Sequence, residues 1–229
     1  SYASWGMQSA ILLITMMMTV IGGRVIPMFT ANGTKTSKVT PNPLLEKIVL
    51  GSLWILTLLT ITNLSKFLST ELLAALYGVA GISSTIRAIR WRPWVAAKTP
   101  IVWSLHSAYW FIPAGLIFHA LHFAGLEISV STANHLLTAG AMGCLILAMI
   151  SRVSLGHTGR ELILNPAIKY AYIAIILAAV TRVSMGMLTP TFIVAGYAVA
   201  GLLWILAYTI FVICYWRILT SERIDKRPG

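Results

Sequence analysis

The stretch that decides the fold is residues 101–160, IVWSLHSAYWFIPAGLIFHALHFAGLEISVSTANHLLTAGAMGCLILAMISRVSLGHTGR. Two long apolar segments are joined by a short polar turn near residues 126–130, which predicts two antiparallel helices that cross a membrane. Imidazole is a common metal ligand and is costly inside a bilayer, so histidines in such a hairpin call for a functional explanation. The stretch contains all five histidines of the chain: His106, His119, His122, His135 and His157.

The rest of the chain is similarly apolar. Of its 229 residues, 58% are hydrophobic and only 10% are charged, with a mean hydropathy of +0.83. Soluble domains carry about a quarter of their residues as charged side chains. The composition therefore predicts an integral membrane protein, all-α, in which residues 1–229 form a single polytopic helix bundle. Its predicted spanning helices cover roughly 5–28, 44–64, 70–89, 101–124, 132–153, 166–187 and 191–216.

The net charge of +11 is explained by the orientation of the helices in the bilayer. The basic residues lie at the ends of apolar runs and do not form a stripe interleaved with aromatic residues, which argues against nucleic acid as a partner. They concentrate in alternate connections, so the positive-inside rule predicts an N-terminus outside the membrane and a C-terminus in the cytoplasm. The residues that carry this pattern are Arg24, Lys35, Lys38, Arg87, Arg90, Arg92, Lys98, Arg152, Arg160, Lys169, Arg217, Arg223, Lys226 and Arg227.

The histidines of the hairpin fall into two groups by depth. Residues equidistant from the turn of a hairpin lie at the same level, so His119, His122 and His135 are predicted near the outer face. His106 and His157 are predicted toward the cytoplasm. His119 and His122 are three residues apart and share a helix face, where they are predicted to reach one metal ion or cofactor. The alternative for each histidine is a hydrogen-bonded or interfacial residue without a ligand.

A second pattern follows His135 along its helix. Thr138, Ala139, Met142 and Met149 share its face, which combines an imidazole with small and sulfur-bearing side chains. Imidazole binds haem iron and copper, and thioethers favour Cu(I), so this face suits a haem edge or a copper ion. Ordinary helix packing by the methionines is the alternative.

Three further residues are candidates at the cytoplasmic end. His157 stands between two glycines in residues 154–160, SLGHTGR, where close approach of another group is possible. A capped helix end explains the same glycines. Arg24 and Arg152 are predicted to pair with haem propionates, because a guanidinium matches a carboxylate. Their alternative role is that of positive-inside anchors.

Several motifs resemble the NnrS family. They are residues 23–30, GRVIPMFT; Leu105-His106; Asn134-His135 leading to residues 140–143, GAMG; residues 155–160, LGHTGR; and the tail from Trp204 onward. The resemblance implies a multi-pass protein of the bacterial inner membrane that contains haem, taken as haem b, and copper. It also implies a link to nitric oxide metabolism and nitrosative-stress defence. His106, His135 and His157 stand where the family has histidine, whereas His119 and His122 do not.

The resemblance also bears on partners. Family members carry a His-x-His-Glu motif in an N-terminal half, and this chain lacks the motif and resembles the C-terminal half. A partner chain that supplies the missing ligands, and a respiratory redox partner, are therefore expected. The rival hypothesis is a non-catalytic subunit or scaffold of a respiratory complex that holds no metal itself. A transporter is disfavoured, because no pair of helices shows matching internal Gly/Pro breaks.

Overall fold

Seven helices, each long and apolar enough to cross a membrane, make up the computed structural model, which describes residues 2–188 and 192–224. No strand occurs in these two ranges. The prediction of an all-α bundle with seven spans is confirmed. The helices are α1 (Tyr2–Thr34), α2 (Pro43–Ile61), α3 (Thr70–Arg90), α4 (Pro100–Phe123), α5 (Val130–His157), α6 (Ile168–Leu188) and α7 (Ile193–Thr220).

Polar residues at the helix starts explain where several elements begin. Asn42 Oδ1 accepts the backbone N–H groups of Leu44 and Leu45 at 3.0 and 3.2 Å, and Pro43 occupies the first turn of α2. Ser69 and Ser129 cap α3 and α5 in the same way. Such caps satisfy N–H groups that a helix leaves without partners. Short 3₁₀ helices, Leu64–Phe67 and Pro93–Ala96, fill the connections before α3 and α4.

The hairpin of α4 and α5 forms the centre of the bundle. In each of these helices 61% of the spanning window is buried, compared with 17% in α7, which lies at the edge. Gly115 of α4 faces Leu137 of α5, and Gly140 of α5 faces Phe111 of α4. Nearer the turn, His119 contacts Asn134 at 3.1 Å. These pairs agree with the antiparallel register predicted from the turn. Small residues allow such close approach between membrane helices.

The bundle has two ends, which we name by the chain termini. The N-terminal side carries the start of α1 and the α4–α5 turn, and the C-terminal side carries the end of α7. The structure contains no bilayer, so the predicted outside location of the N-terminal side stays a prediction. One buried apolar core draws on all seven helices, for example through Leu12, Leu53, Tyr77, Leu105, Leu147, Tyr172 and Phe211.

Arg87 differs from its predicted role as a surface anchor. Its guanidinium is buried between helices, where it forms an ion pair with Glu46 of α2. Arg87 also donates to the backbone oxygen of Thr19 at 3.0 Å and to Tyr109 Oη at 3.3 Å. Gly23 leaves the space that the guanidinium fills, because a Cβ there would overlap it. The charge pattern does not distinguish Arg87 from the basic residues near it in sequence. In the structure its side chain joins four helices.

Candidate functional site

His106 lies on α4, toward the C-terminal side of the bundle, with its ring buried. Its Nε2 atom is 2.8 Å from Thr30 Oγ1 of α1, and Thr30 Oγ1 lies 2.7 Å from the backbone oxygen of Ile26. When the threonine hydroxyl donates to that carbonyl, the imidazole donates from Nε2. In that arrangement the ring is the Nε2–H tautomer and Nδ1 keeps a lone pair.

Arg152 reaches the same part of α1 from α5. Its guanidinium carbon lies 3.6 Å from the centre of the Phe29 ring, and Phe29 precedes the Thr30 that holds His106. The side chain is buried, and Nη1 has no hydrogen-bond partner. A buried donor without a partner is costly, so this atom fits an anionic group supplied by a ligand. Arg24, the other predicted propionate partner, is exposed.

His157 ends α5 and is exposed at the C-terminal side. The backbone around it forms a regular helix cap: Gly159 has φ +71°, and the N–H of Arg160 donates to Leu155 O at 3.0 Å. Thus the glycine–arginine part of the motif agrees with the capping alternative. The α4–α5 register places His106 opposite residues near 145, about twelve residues or roughly 18 Å along the helix from His157. The two predicted inner histidines do not meet.

His119 and His122 each have a separate polar partner near the α4–α5 turn. His119 Nε2 is 3.1 Å from Asn134 Oδ1, and Asn134 Nδ2 donates to Gln8 Oε1 at 2.9 Å. The asparagine oxygen is thus the acceptor, so His119 donates from Nε2 and keeps Nδ1 free. His122 Nδ1 donates to the backbone oxygen of Ile128 at 2.7 Å, which leaves its Nε2 free.

His135 faces away from that network, toward α6 and α7. Its ring contacts Tyr197 edge-on at 6.1 Å between centres, and Arg182 lies over the same tyrosine at 3.8 Å. The half-buried imidazole borders a cavity of about 410 Å³. The lining residues include the predicted face of α5 as well as residues of α6 and α7: His135, Thr138, Ala139, Met142, Arg182 and Trp204. Met149 instead packs against the core.

The cavity coincides with an irregular segment of α5. Residues Leu136–Met142 form a π-helix, flanked by the α-helical parts Val130–His135 and Gly143–His157. π-Helical segments are rare and occur often at functional sites. This one begins directly after His135 and ends at Met142, and Gly143 immediately beyond it packs on the Trp204 ring. The π-helical segment therefore forms the part of the cavity wall that carries the two candidate ligands, His135 and Met142.

Two positions bring a candidate metal-ligating imidazole and a cationic side chain into the same part of the bundle. At the α5–α7 cavity, an imidazole, a thioether and the cation of Arg182 border one space. At the inner position, His106 has a free nitrogen and Arg152 an unpaired donor. Within the part of the chain that the structure describes, no three His, Cys, Asp or Glu side chains come together to hold a metal ion. The described residues thus offer single imidazoles and nearby cations, not a cluster of metal ligands.

Several polar partners were not predicted from the sequence. Thr30 and Tyr77 each contact a histidine that lies far away along the chain, and Gln8 accepts from Asn134, the partner of His119. Arg182 is not among the predicted site residues either, but it borders the His135 cavity. The available signal was that these polar residues stand inside apolar runs, where a partner is required.

Comparison with known proteins adds a family. A family model described as "NnrS protein" matches residues 1–223. No curated protein and no solved structure matches the chain.

Proposed function

Because this chain belongs to the NnrS family, we propose that it is a haem-binding membrane protein associated with nitric oxide metabolism and nitrosative-stress defence. Its seven apolar helices suit a multi-pass protein, and we place it in the bacterial inner membrane. The observation that carries the haem proposal is the cavity of about 410 Å³ between α5, α6 and α7, where His135, Met142 and Arg182 face one space.

In this proposal His135 would bind the haem iron through its imidazole, and Arg182 would pair with a propionate. Haem iron binds diatomic gases and exchanges electrons when it is held in this way. The neighbouring residues would orient the group: Tyr197 packs against both His135 and Arg182, and Trp204 also lines the cavity. Fixed ligand orientation is the usual contribution of such neighbours.

A second cofactor-binding position is proposed at His106 and Arg152. His106 presents Nδ1, because Thr30 holds its other nitrogen, and Arg152 presents an unpaired Nη1 to an anionic group. His157 is proposed as a contact at the membrane surface, where a partner chain or a cofactor held between two chains has access to it.

A copper site is proposed only if ligands from outside the described residues complete it. A copper ion needs two or three suitable ligands, whereas His119 and His122 bring two free nitrogens and Met142 a thioether in a different cavity. A partner chain that contributes the remaining ligands would complete such a site and would also provide a route to a respiratory redox partner.

The test is a reduced-minus-oxidised optical spectrum of the purified protein, with iron and copper measured in the same sample. We expect a haem Soret band that is lost or shifted in the His135→Ala and His106→Ala variants. His122→Gln should leave the band unchanged, because its ring bonds a turn carbonyl away from both proposed haem positions. Helix content by circular dichroism checks that each variant folds.

Two outcomes would contradict the proposal. One is a full and unshifted Soret band in His106→Ala, His135→Ala and His157→Ala alike. The other is a protein without iron or copper that co-purifies with a larger complex, which is the result expected of a metal-free subunit or scaffold.

A further inference from the structure

A second cavity, of about 580 Å³, lies at the N-terminal side and has no role in the proposed haem positions. It is bordered by the start of α1, the end of α2, the α2–α3 connection, the start of α3 and the end of α4. None of its described lining residues is acidic. Its apolar wall comes from leucines of α2, α3 and the connection between them: Leu56, Leu59, Leu68 and Leu73.

The rim of this cavity is predicted to lie at the headgroup level of a bilayer. Ser65 and Lys66 line the cavity, whereas Phe67 of the same 3₁₀ helix is 84% exposed. Trp5 also lines the cavity, and its Nε1 donates to Thr60 O at 2.7 Å. Tryptophan and short amphipathic segments are typical of the membrane–water interface. A lipid headgroup therefore has access to this rim.

Several polar side chains of the lining are already bonded within the bundle. Gln8 Oε1 accepts from Asn134 at 2.9 Å, and Asn134 Oδ1 accepts from His119 at 3.1 Å. The hydroxyl of Thr60 donates to Leu56 O at 2.8 Å. Because these groups have protein partners, they do not select a ligand. This part of the lining offers a ligand mainly its apolar surface.

Asn63 and Lys66 supply the donors that remain at the rim. Asn63 Oδ1 is buried, so the accessible group of this side chain is its Nδ2 donor. Lys66 is exposed, and the one salt bridge among the described residues joins Arg87 and Glu46. The Lys66 ammonium therefore has no carboxylate partner in the described part of the chain. An ammonium group and an amide N–H both donate to phosphate oxygens.

The charges at the rim favour one class of headgroup. A phosphodiester meets a cation and an amide donor, and no acidic residue of the described lining opposes it. A headgroup such as ethanolamine adds an ammonium group, which would lie near Lys66 and find no carboxylate in that lining. Like charges repel, so a phosphate headgroup with neutral hydroxyl groups is favoured.

We propose that this cavity binds one anionic phospholipid whose headgroup carries no ammonium group, such as a phosphatidylglycerol. The phosphate accepts from Asn63 Nδ2 and pairs with Lys66, and an acyl chain packs against the leucine wall. The proposal concerns binding alone, and it does not depend on haem at His135 or His106.

The experiment is native mass spectrometry of the delipidated full chain in nonionic detergent, which gives the binding constant of the first lipid bound. The protein is titrated with phosphatidylglycerol and, separately, with phosphatidylethanolamine of identical acyl chains. We expect phosphatidylglycerol to bind about fivefold more tightly, the factor expected from one lysine beside an anionic headgroup. Inorganic phosphate should not compete, because it gains nothing from the leucine wall.

Two variants test the site itself. Lys66→Gln removes the cation, so the ratio of the two binding constants should fall from about five toward one. Asn63→Gly keeps the left-handed backbone of φ +62°, which glycine adopts freely, and removes the Nδ2 donor. It should weaken both lipids about tenfold, because both carry the phosphate. The control is Lys98→Gln, which removes an exposed lysine at the opposite end of the bundle and should keep the ratio.

The results that overturn the proposal are equal binding constants for the two lipids, or a ratio that Lys66→Gln and Lys98→Gln lower to the same extent. Laurate that binds as tightly as phosphatidylglycerol would also overturn it, because a carboxylate on one chain would then suffice. So would effective competition by inorganic phosphate. Absence of lipid preference in wild-type protein that retains its Soret band would refute the lipid site alone and leave the haem proposal intact.

Discussion

Three of the histidines are each hydrogen-bonded through one ring nitrogen to a fixed oxygen. His106 bonds Thr30 Oγ1, whereas Asn134 Oδ1 accepts from His119 and the backbone oxygen of Ile128 accepts from His122. In the neutral rings of His119 and His122 the remaining nitrogen is therefore unprotonated. Metal-ligating histidines are usually held by the same arrangement, in which one nitrogen donates to a fixed oxygen. The same arrangement equally serves a ligand that donates a hydrogen bond.

Thr30 provides a test of this arrangement. The Thr30→Val variant keeps the shape of the side chain but removes the acceptor for His106 Nε2, so we expect the unfolding free energy to fall by about 1 kcal/mol. Thermal unfolding in detergent measures the change. Thr57→Val is the matched control, because its buried hydroxyl bonds only Leu53 O of its own helix. Equal midpoints for the two variants would show that the contact with His106 contributes nothing.

At the scale of the helices, the sequence predicts existence and order well. The predicted fourth helix, 101–124, is observed as Pro100–Phe123. Hydropathy works because a bilayer requires about twenty apolar residues for each crossing. The largest difference is α1, predicted over 5–28 and observed over Tyr2–Thr34. Its final residues, 32–34, are Asn, Gly and Thr, and hydropathy does not detect a helix that continues beyond the apolar region.

Details within and between helices could not be predicted in the same way. The π-helix in α5 has the same apolar composition as the α-helix around it, so hydropathy contains no signal for it. Contacts such as Thr30–His106 and Gln8–Asn134 join residues 76 and 126 positions apart. Depth pairing placed His119 and His135 in one group, but it does not give the direction of a side chain around the helix. The structure directs these two rings into different cavities.

The closeness of α4 and α5 leads to a prediction about Gly115. A Cβ at this position would lie 2.6 Å from Leu137 Cδ2 and 3.2 Å from the backbone oxygen of Ala133. Gly115→Ala should therefore lower the unfolding free energy by about 1–3 kcal/mol, as overpacking does. Gly51→Ala on α2 is the control, since nothing lies within 4 Å of its added Cβ.

Denaturation of both variants in mixed micelles provides the comparison. The control should be neutral or slightly more stable, because alanine is the better helix former. If Gly115→Ala matched it, the helices would have to separate without cost, and the close packing of α4 on α5 would not contribute to stability.

At the scale of the whole molecule, seven spans predict the N- and C-terminal sides of the bundle on opposite sides of the membrane. The charge pattern predicts the α4–α5 turn outside the cell and the α5–α6 connection inside. Glu127 and Asn165 are exposed residues of these two connections. In a background with Cys144 and Cys214 replaced by alanine, Glu127→Cys should react with a membrane-impermeant maleimide on intact cells. Asn165→Cys should react only after the cells are opened, and the reverse pattern would invert the predicted orientation.

The buried ion pair has a consequence for how the chain enters the bilayer. An isolated arginine in a spanning helix is expensive to insert, and its cost falls when an acidic partner is beside it. Arg87 and Glu46 stand on consecutive helices, so their pairing is complete as soon as α2 and α3 lie side by side. We therefore expect the two helices to leave the insertion machinery together as one hairpin. In that case α2 enters the bilayer only after α3 has been synthesised.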